Sequence, residues 1–179
     1  MRDLGLVALF AALMCALGFS PMFLLPLAGI TVSIQTLAML LAGGIIGSRR
    51  GALAMGVVIL LVAIGLPVLT GAQGGIHKLI GPTAGFIWSW PLGAFLVGWL
   101  IERMWAKLTY VKALGACLLG SMSIYILGHS WLVFLTGIPL RTAVWSWTVY
   151  LPGDMAKSLV AAFLIVTVKK AYPLISPRT

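Results

Sequence analysis

Long apolar runs, each broken by glycine, proline or a few charges, set the pattern of this chain. Six stand out, at about residues 4–19, 31–47, 52–66, 82–101, 113–135 and 154–168. Several fall short of the roughly 20 residues that a lone bilayer span requires, so their ends must lie against protein or a water-filled cavity. Glycine and proline mark the joints, in "SPMFLLPLAG", "GLPVLTGAQGG", "TGIPL" and "YLPGD". No linker separates two domains. The pattern predicts an all-α integral membrane protein, with six transmembrane helices in one compact bundle formed by residues 1–179. The opening "MRDLGLVALFAALMCALGF" resembles a signal peptide in length and leading arginine, but further spans follow it throughout, which reads as a retained first helix.

Composition agrees with the pattern: 61% of residues are hydrophobic, 8% are charged, and the mean hydropathy is +1.13. Soluble domains carry roughly a quarter charged residues. The formal charge of +9 does not point to nucleic acid, because the basic residues form short clusters between apolar runs, where membrane topology explains them. With the N-terminus inside, the inner side receives Arg2, Arg49, Arg50, Arg103, Lys107, Lys112, Lys169, Lys170 and Arg178. The outer side receives Lys78 and Arg141, with Lys157 left inside the sixth run. That asymmetry selects an N-in, C-in topology. Asp3 and Glu102 sit beside Arg2 and Arg103 at the inner interface. Cys15 and Cys117 lie among Ala, Leu and Gly and read as buried thiols.

Asp154, one of only three acidic residues, is the exception to this arrangement. Counted back from Lys169 at the helical rise, Lys157 lies roughly 18 Å and Asp154 about 22 Å along the axis, within a hydrocarbon layer about 30 Å thick. A spacing of three residues puts both side chains on one helix face. Ionisable groups at such depth pair or face water, and they commonly mark a substrate path. The plainer alternative is that Asp154 caps the sixth helix while Lys157 snorkels outward; the two readings are compatible.

The connection "PVLTGAQGGIHKLIGP" on the same outer side carries several glycines that permit tight turns and close backbone approach, so it can fold over a cavity as a lid or remain an ordinary exposed loop. His77 has no Cys, Asp or second His nearby and is a poor metal ligand. His129 reads as a hydrogen-bonded residue inside the fifth helix. Trp145, Trp147 and Tyr150 suit an interfacial belt, or cover an apolar ligand. Ala8, Ala12 and Ala16 make a smooth stripe on the first helix, for packing within the bundle or for docking another membrane protein.

No P-loop, H-E-x-x-H or Ser/His/Asp set is present, and no second carboxylate neighbours Asp154. Those absences argue against an enzyme, leaving a lipid-directed membrane enzyme with Asp154 as base as a weak alternative. A structural membrane subunit that binds nothing small is another. Any dependence on ATP must come through partners.

The runs "LPLAGITVSIQTLAMLLAGGIIGSRRGALAM", "GLPVLTGAQGGIHKLIGPTAGFIWSWPLGAFLVGWLIER", "YILGHSWL" and "YLPGDMAKSLVAA" resemble the BioY family of biotin transporters over about residues 25–162. The resemblance implies a six-helix substrate-binding (S) component of an energy-coupling factor (ECF) vitamin importer in the cytoplasmic membrane of a prokaryote. Such a component takes biotin from outside under the loop joining helices three and four. The implied partners are a transmembrane coupling protein and two ATPase subunits, with some members transporting alone; no cofactor is implied. The family's D-x-x-K pair falls on Asp154 and Lys157 as biotin contacts, with Lys157 suited to the valerate carboxylate and Asp154 to the ureido N–H groups. The glycine-rich lid maps onto Gly74, Gly75 and Gly81, with Gln73 and Thr83 as polar contacts. The docking motif maps onto Ala8, Ala12 and Ala16. His77 and Lys78 depart from the small or apolar residues expected there, so Lys78 either supplies a second charge for the carboxylate or faces solvent. A related anionic vitamin or a biotin precursor is the alternative ligand.

Overall fold

The computed structural model describes residues 1–19, 23–25, 30–172 and 174–175. The chain forms α1 (Arg2–Gly18), a ribbon of β1 (Phe23–Leu25) and β2 (Ile30–Val32), α2 (Gln35–Ile46), α3 (Ser48–Ala63) and a single turn α4 (His77–Ile80). It continues through α5 (Ala84–Arg103), a 3-10 turn (Trp105–Lys107), α6 (Tyr110–Thr136) and α7 (Leu140–Ala171). The six longer helices fall on the six apolar runs, and two boundaries need correction. The expected second helix loses its first residues to β2, which pairs antiparallel with β1 in the register Phe23↔Val32, Leu24↔Thr31 and Leu25↔Ile30. Aromatic and β-branched residues there suit a ribbon, so the fold is helical with one short hairpin. The joint expected at residues 20–29 lies partly outside the described residues, as does Arg178.

The second correction concerns α7, which begins at Leu140 and runs through "YLPGD" without ending. Pro152 has no N–H for the carbonyl one turn back and usually breaks a helix. Packed helices tolerate such a loss when neighbouring side chains and local adjustments satisfy the freed groups. Asp154 therefore does not cap a helix; it projects from the middle of one.

Among the described residues, three helical stretches are long and apolar enough to cross a bilayer: α5, α6 and Tyr150–Ala171 of α7. At 17, 12 and 16 residues, α1, α2 and α3 are shorter than the roughly 20 needed by a lone span. Their burial depends on neighbours. Central α5 packs against α2, α3 and α6, while α7 lies on α6 and α2, and α1 on α2 and α3. Glycines bring the backbones close. A Cβ on Gly43 of α2 would lie 3.1 Å from Ala94 Cα of α5, and one on Gly51 of α3 would lie 2.9 Å from Gly43 Cα. Small residues at crossings are how apolar helices associate where lipid removes the hydrophobic drive. Gly137, in the left-handed region at φ +69°, ends α6 by returning its N–H to Val133 O at 2.9 Å.

One end of the bundle collects the α2–α3 junction, the α5–α6 junction, the start of α1 and residues 174–175. Ser48 N and Oγ donate to Glu102 Oε1 at 2.7 and 2.9 Å, placing a carboxylate at the N-terminus of α3. Arg50 pairs with Asp3 at 3.0 Å and donates to Leu174 O at 3.3 Å. Lys169 donates to Trp105 O, and Arg103 covers the Trp99 ring at 4.0 Å. Asp3 and Glu102 thus find partners on another element, α3. Arg49, Arg50, Arg103, Lys107, Lys112, Lys169 and Lys170 gather at this end, and the connection spanning residues 64–83 lies at the other.

Candidate functional site

The site begins with Asp154 and Lys157, one helical turn apart on α7. They form an ion pair, and their side chains are only 15% and 13% exposed respectively. Lys157 Nζ also donates to Ser33 O and Thr36 Oγ1, both at 2.8 Å. An ammonium has three N–H donors, and all three are engaged. The second oxygen of Asp154 accepts from the Tyr125 hydroxyl on α6. The pair therefore ties α7 to α6 and to the start of α2. Each carboxylate oxygen retains acceptor capacity, whereas Lys157 has no donor to spare for an incoming carboxylate.

Beside it, Gln35 is 1% exposed yet makes a full set of hydrogen bonds. Its amide N–H groups donate to Met14 O at 3.1 Å and Val68 O at 2.9 Å. Its Oε1 accepts from Thr70 N at 2.9 Å and Thr70 Oγ1 at 2.8 Å. The Ser33 and Thr70 hydroxyls lie 2.6 Å apart. Four segments meet here: α1, the residues entering α2, α2 itself and the connection after α3.

Between these groups lies a cavity of about 280 Å³, near the lower end of the roughly 300–1,000 Å³ usual for small-molecule sites. Asp154, Lys157, Ser33, Gln35, Thr36 and Thr70 give it one polar side. Phe86, Ile87 and Trp90 of α5, Ile124 and Tyr125 of α6, Tyr150 of α7 and Leu69 give it apolar and aromatic walls. Gln73, Lys78 and Thr83 close it from the connection. A second groove, between α5 and α6, is lined by Trp88, Trp131, Phe134 and their neighbours without any ionisable group.

Of the expected contacts, Asp154, Lys157, Gln73, Lys78 and Thr83 line the cavity, while Gly74, Gly75 and Gly81 do not. Those glycines shape the connection instead. Gly75 sits at φ +101° and donates to Val62 O at 2.9 Å, a backbone that side-chain-bearing residues avoid. Gly81 O accepts from Trp131 Nε1, and Leu79 O from Trp88 Nε1, each at 2.9 Å. Two indoles therefore hold α4 and its flank against α5 and α6. Ser33, Gln35, Thr36, Thr70, Trp90 and Tyr125 did not emerge from the sequence as site residues. The polar residues of "VSIQT" resemble the opening of any helix, and a lone Tyr in an apolar run resembles core; the one usable signal was Gln35 within a span.

The aromatic group divides. Tyr150 lines the cavity, and Trp147 stacks on Tyr125 with centroids 5.6 Å apart. Trp145 is exposed. His129 is buried, with Nδ1 2.9 Å from Tyr125 O and Nε2 2.8 Å from Ser146 Oγ, the bonded helix residue its context suggested. Cys117 is buried and Cys15 only partly so. Among the described residues no group of three His, Cys, Asp or Glu is placed to hold a metal ion. Ala8, Ala12 and Ala16 are exposed, on the side of α1 away from buried Val7, Phe10, Ala11 and Met14.

Comparison with known proteins gives a consistent picture. The model of the BioY family matches residues 1–174. The chain is 40% identical to the biotin transporter BioY of Rhizobium etli, over 99% of this chain and 98% of that protein. It is equally 40% identical to the biotin transporter BioY of Rhodobacter capsulatus, over 96% of this chain and 95% of that one. A solved structure, the S-component for biotin from an ECF-type ABC transporter, matches with a TM-score of 0.88 at 29% identity, covering 94% of this chain and 91% of its own.

Proposed function

The chain belongs to the BioY family, and from that premise we propose that it binds biotin in the cavity between α2, α5, α6 and α7 and carries it across the membrane as an ECF S component. The observation that carries the reading is the Asp154–Lys157–Tyr125 network beside aromatic walls. Biotin pairs a polar ureido group with an apolar bicyclic ring, and this cavity offers a carboxylate acceptor next to Phe86, Trp90 and Tyr150. Asp154 accepts from the ureido N–H groups. Lys157 pairs with that carboxylate and holds it to the start of α2. No bond is made or broken, so the protein is a transporter of an unmodified ligand and not an enzyme.

The protein is multi-pass, and we place it in the cytoplasmic membrane with both ends inside and the cavity filled from outside. The support is the gathering of Arg49, Arg50, Arg103, Lys107, Lys112, Lys169 and Lys170 at the end away from the connection over the cavity. A titration of purified protein with biotin in detergent tests the assignment. Saturable binding, a raised melting temperature and recovery of unchanged biotin are expected. Absence of both binding and thermal shift would favour a structural subunit, and a shift only with another vitamin would reassign the ligand.

Transport draws energy from two ATPase subunits through a transmembrane coupling protein, and the coupling protein docks on the exposed stripe of Ala8, Ala12 and Ala16 on α1. A large side chain on a smooth helix face blocks close approach by another helix. Ala12→Trp is therefore expected to abolish co-purification of the coupling protein while biotin binding persists. An intact complex would reject this surface.

A further inference from the structure

Lys157 and Lys78 are the two cationic side chains among the described residues that line the cavity, and they differ in one respect. Every N–H of Lys157 is engaged by Ser33 O, Thr36 Oγ1 or Asp154. Lys78, half-buried on α4, has an ammonium with no hydrogen-bond or ion-pair partner among the described residues. Its backbone is not loose: buried Leu79 and the indole bonds from Trp88 and Trp131 fix the segment that presents it. The cavity also contains one fixed anion, Asp154, which repels a second carboxylate from its own side.

Resting on the biotin assignment above, we infer that Lys78 is the specificity-determining residue for the free acid, pairing with the valerate carboxylate while the ureido ring lies on Asp154. The site then selects biotin over neutral conjugates in which that acid is amidated. Two opposite charges at opposite ends of one elongated ligand also fix its direction in the cavity, because the reversed pose sets carboxylate against carboxylate. A charge-assisted hydrogen bond is roughly twice as strong as a neutral one, and the carboxamide replaces charge with near-equal shape.

Biotin and biotin carboxamide are titrated against wild type, Lys78→Ala and Lys78→Gln by calorimetry in detergent. Wild type is expected to prefer biotin at least about tenfold, the scale of one charge-assisted hydrogen bond. Both variants are expected to lose that preference by weakening toward biotin alone, with carboxamide affinity held within about twofold, and Lys78→Arg is expected to retain it. Carboxamide binding doubles as the folding control. Equal affinities in wild type, or an undiminished preference in both variants, would overturn the inference; loss of both ligands by both variants would assign Lys78 to architecture and overturn it too. Failure of wild type to bind biotin at all would instead overturn the assignment of the ligand.

Discussion

Asp154→Asn and Lys157→Ala will each weaken biotin binding by at least about tenfold, or about 1.4 kcal/mol, as measured by calorimetry on detergent-solubilised protein. Asn retains the shape of Asp154, and its carbonyl can still accept from Tyr125, but its amide N–H₂ faces the Lys157 ammonium, donor against donor. Lys157→Ala leaves the carboxylate without its counter-ion and frees Ser33 O and Thr36 Oγ1. Hydrogen bonds to charged groups contribute about 1.5–3 kcal/mol, so losses from tenfold to over a hundredfold are consistent. Removing one partner of a buried pair can also destabilise a protein by about 3–5 kcal/mol, which separates into its own measurement. The charge-neutral double variant Asp154→Asn with Lys157→Met is expected to melt higher than either single variant and still not bind. A double variant that binds as wild type does would remove both residues from the site.

The parts of this arrangement differ in how well they can be read from the chain, for physical reasons. An ion pair inside an apolar run is visible because a buried charge needs a partner, and the partner of Asp154 stands three residues away on the same helix face. The glycine-rich connection is visible because "GAQGG" cannot continue a helix. What those glycines do is less visible: the chain shows that Gly74, Gly75 and Gly81 permit sharp turns, but not that the turn places Gln73, Lys78 and Thr83, rather than glycine backbone, along the cavity. Pro152–Gly153 misdirects the reading of α7, since intrinsic propensity puts a helix start where packing carries the helix through. Tyr125 lies 29 residues from Asp154 and Lys157 lies 124 from Ser33, so their meetings exist only once α2, α6 and α7 have packed. The likeness of the chain to a biotin-transporter family supplies a ligand; the saturation of Lys157 and the freedom of Lys78 come from coordinates alone.

The same packing makes Gln35 the polar residue whose loss reaches furthest. Gln35→Leu keeps the volume near constant but orphans Val68 O and Thr70 N, while Met14 O keeps its helical bond from Gly18 N within α1 and Thr70 Oγ1 retains Ser33 Oγ. A buried polar group without a partner costs about 1–3 kcal/mol, so two of them amount to roughly 2–6 kcal/mol, a large share of a whole domain's stability of about 5–15 kcal/mol. Gln35→Glu is expected to be worse. The carboxylate can still accept from Thr70, but its second oxygen meets the carbonyls of Met14 and Val68, acceptor against acceptor, inside the protein. Both variants are expected to melt well below wild type in detergent, the glutamate variant lowest, and the surviving folded fraction of Gln35→Leu is expected to bind biotin weakly because residues 68–70 no longer hold the cavity wall. The order is the decisive reading. A glutamate variant as stable as the leucine variant would mean that the amide does not donate to both carbonyls, and unchanged melting in both would remove this junction from what holds the connection over the cavity.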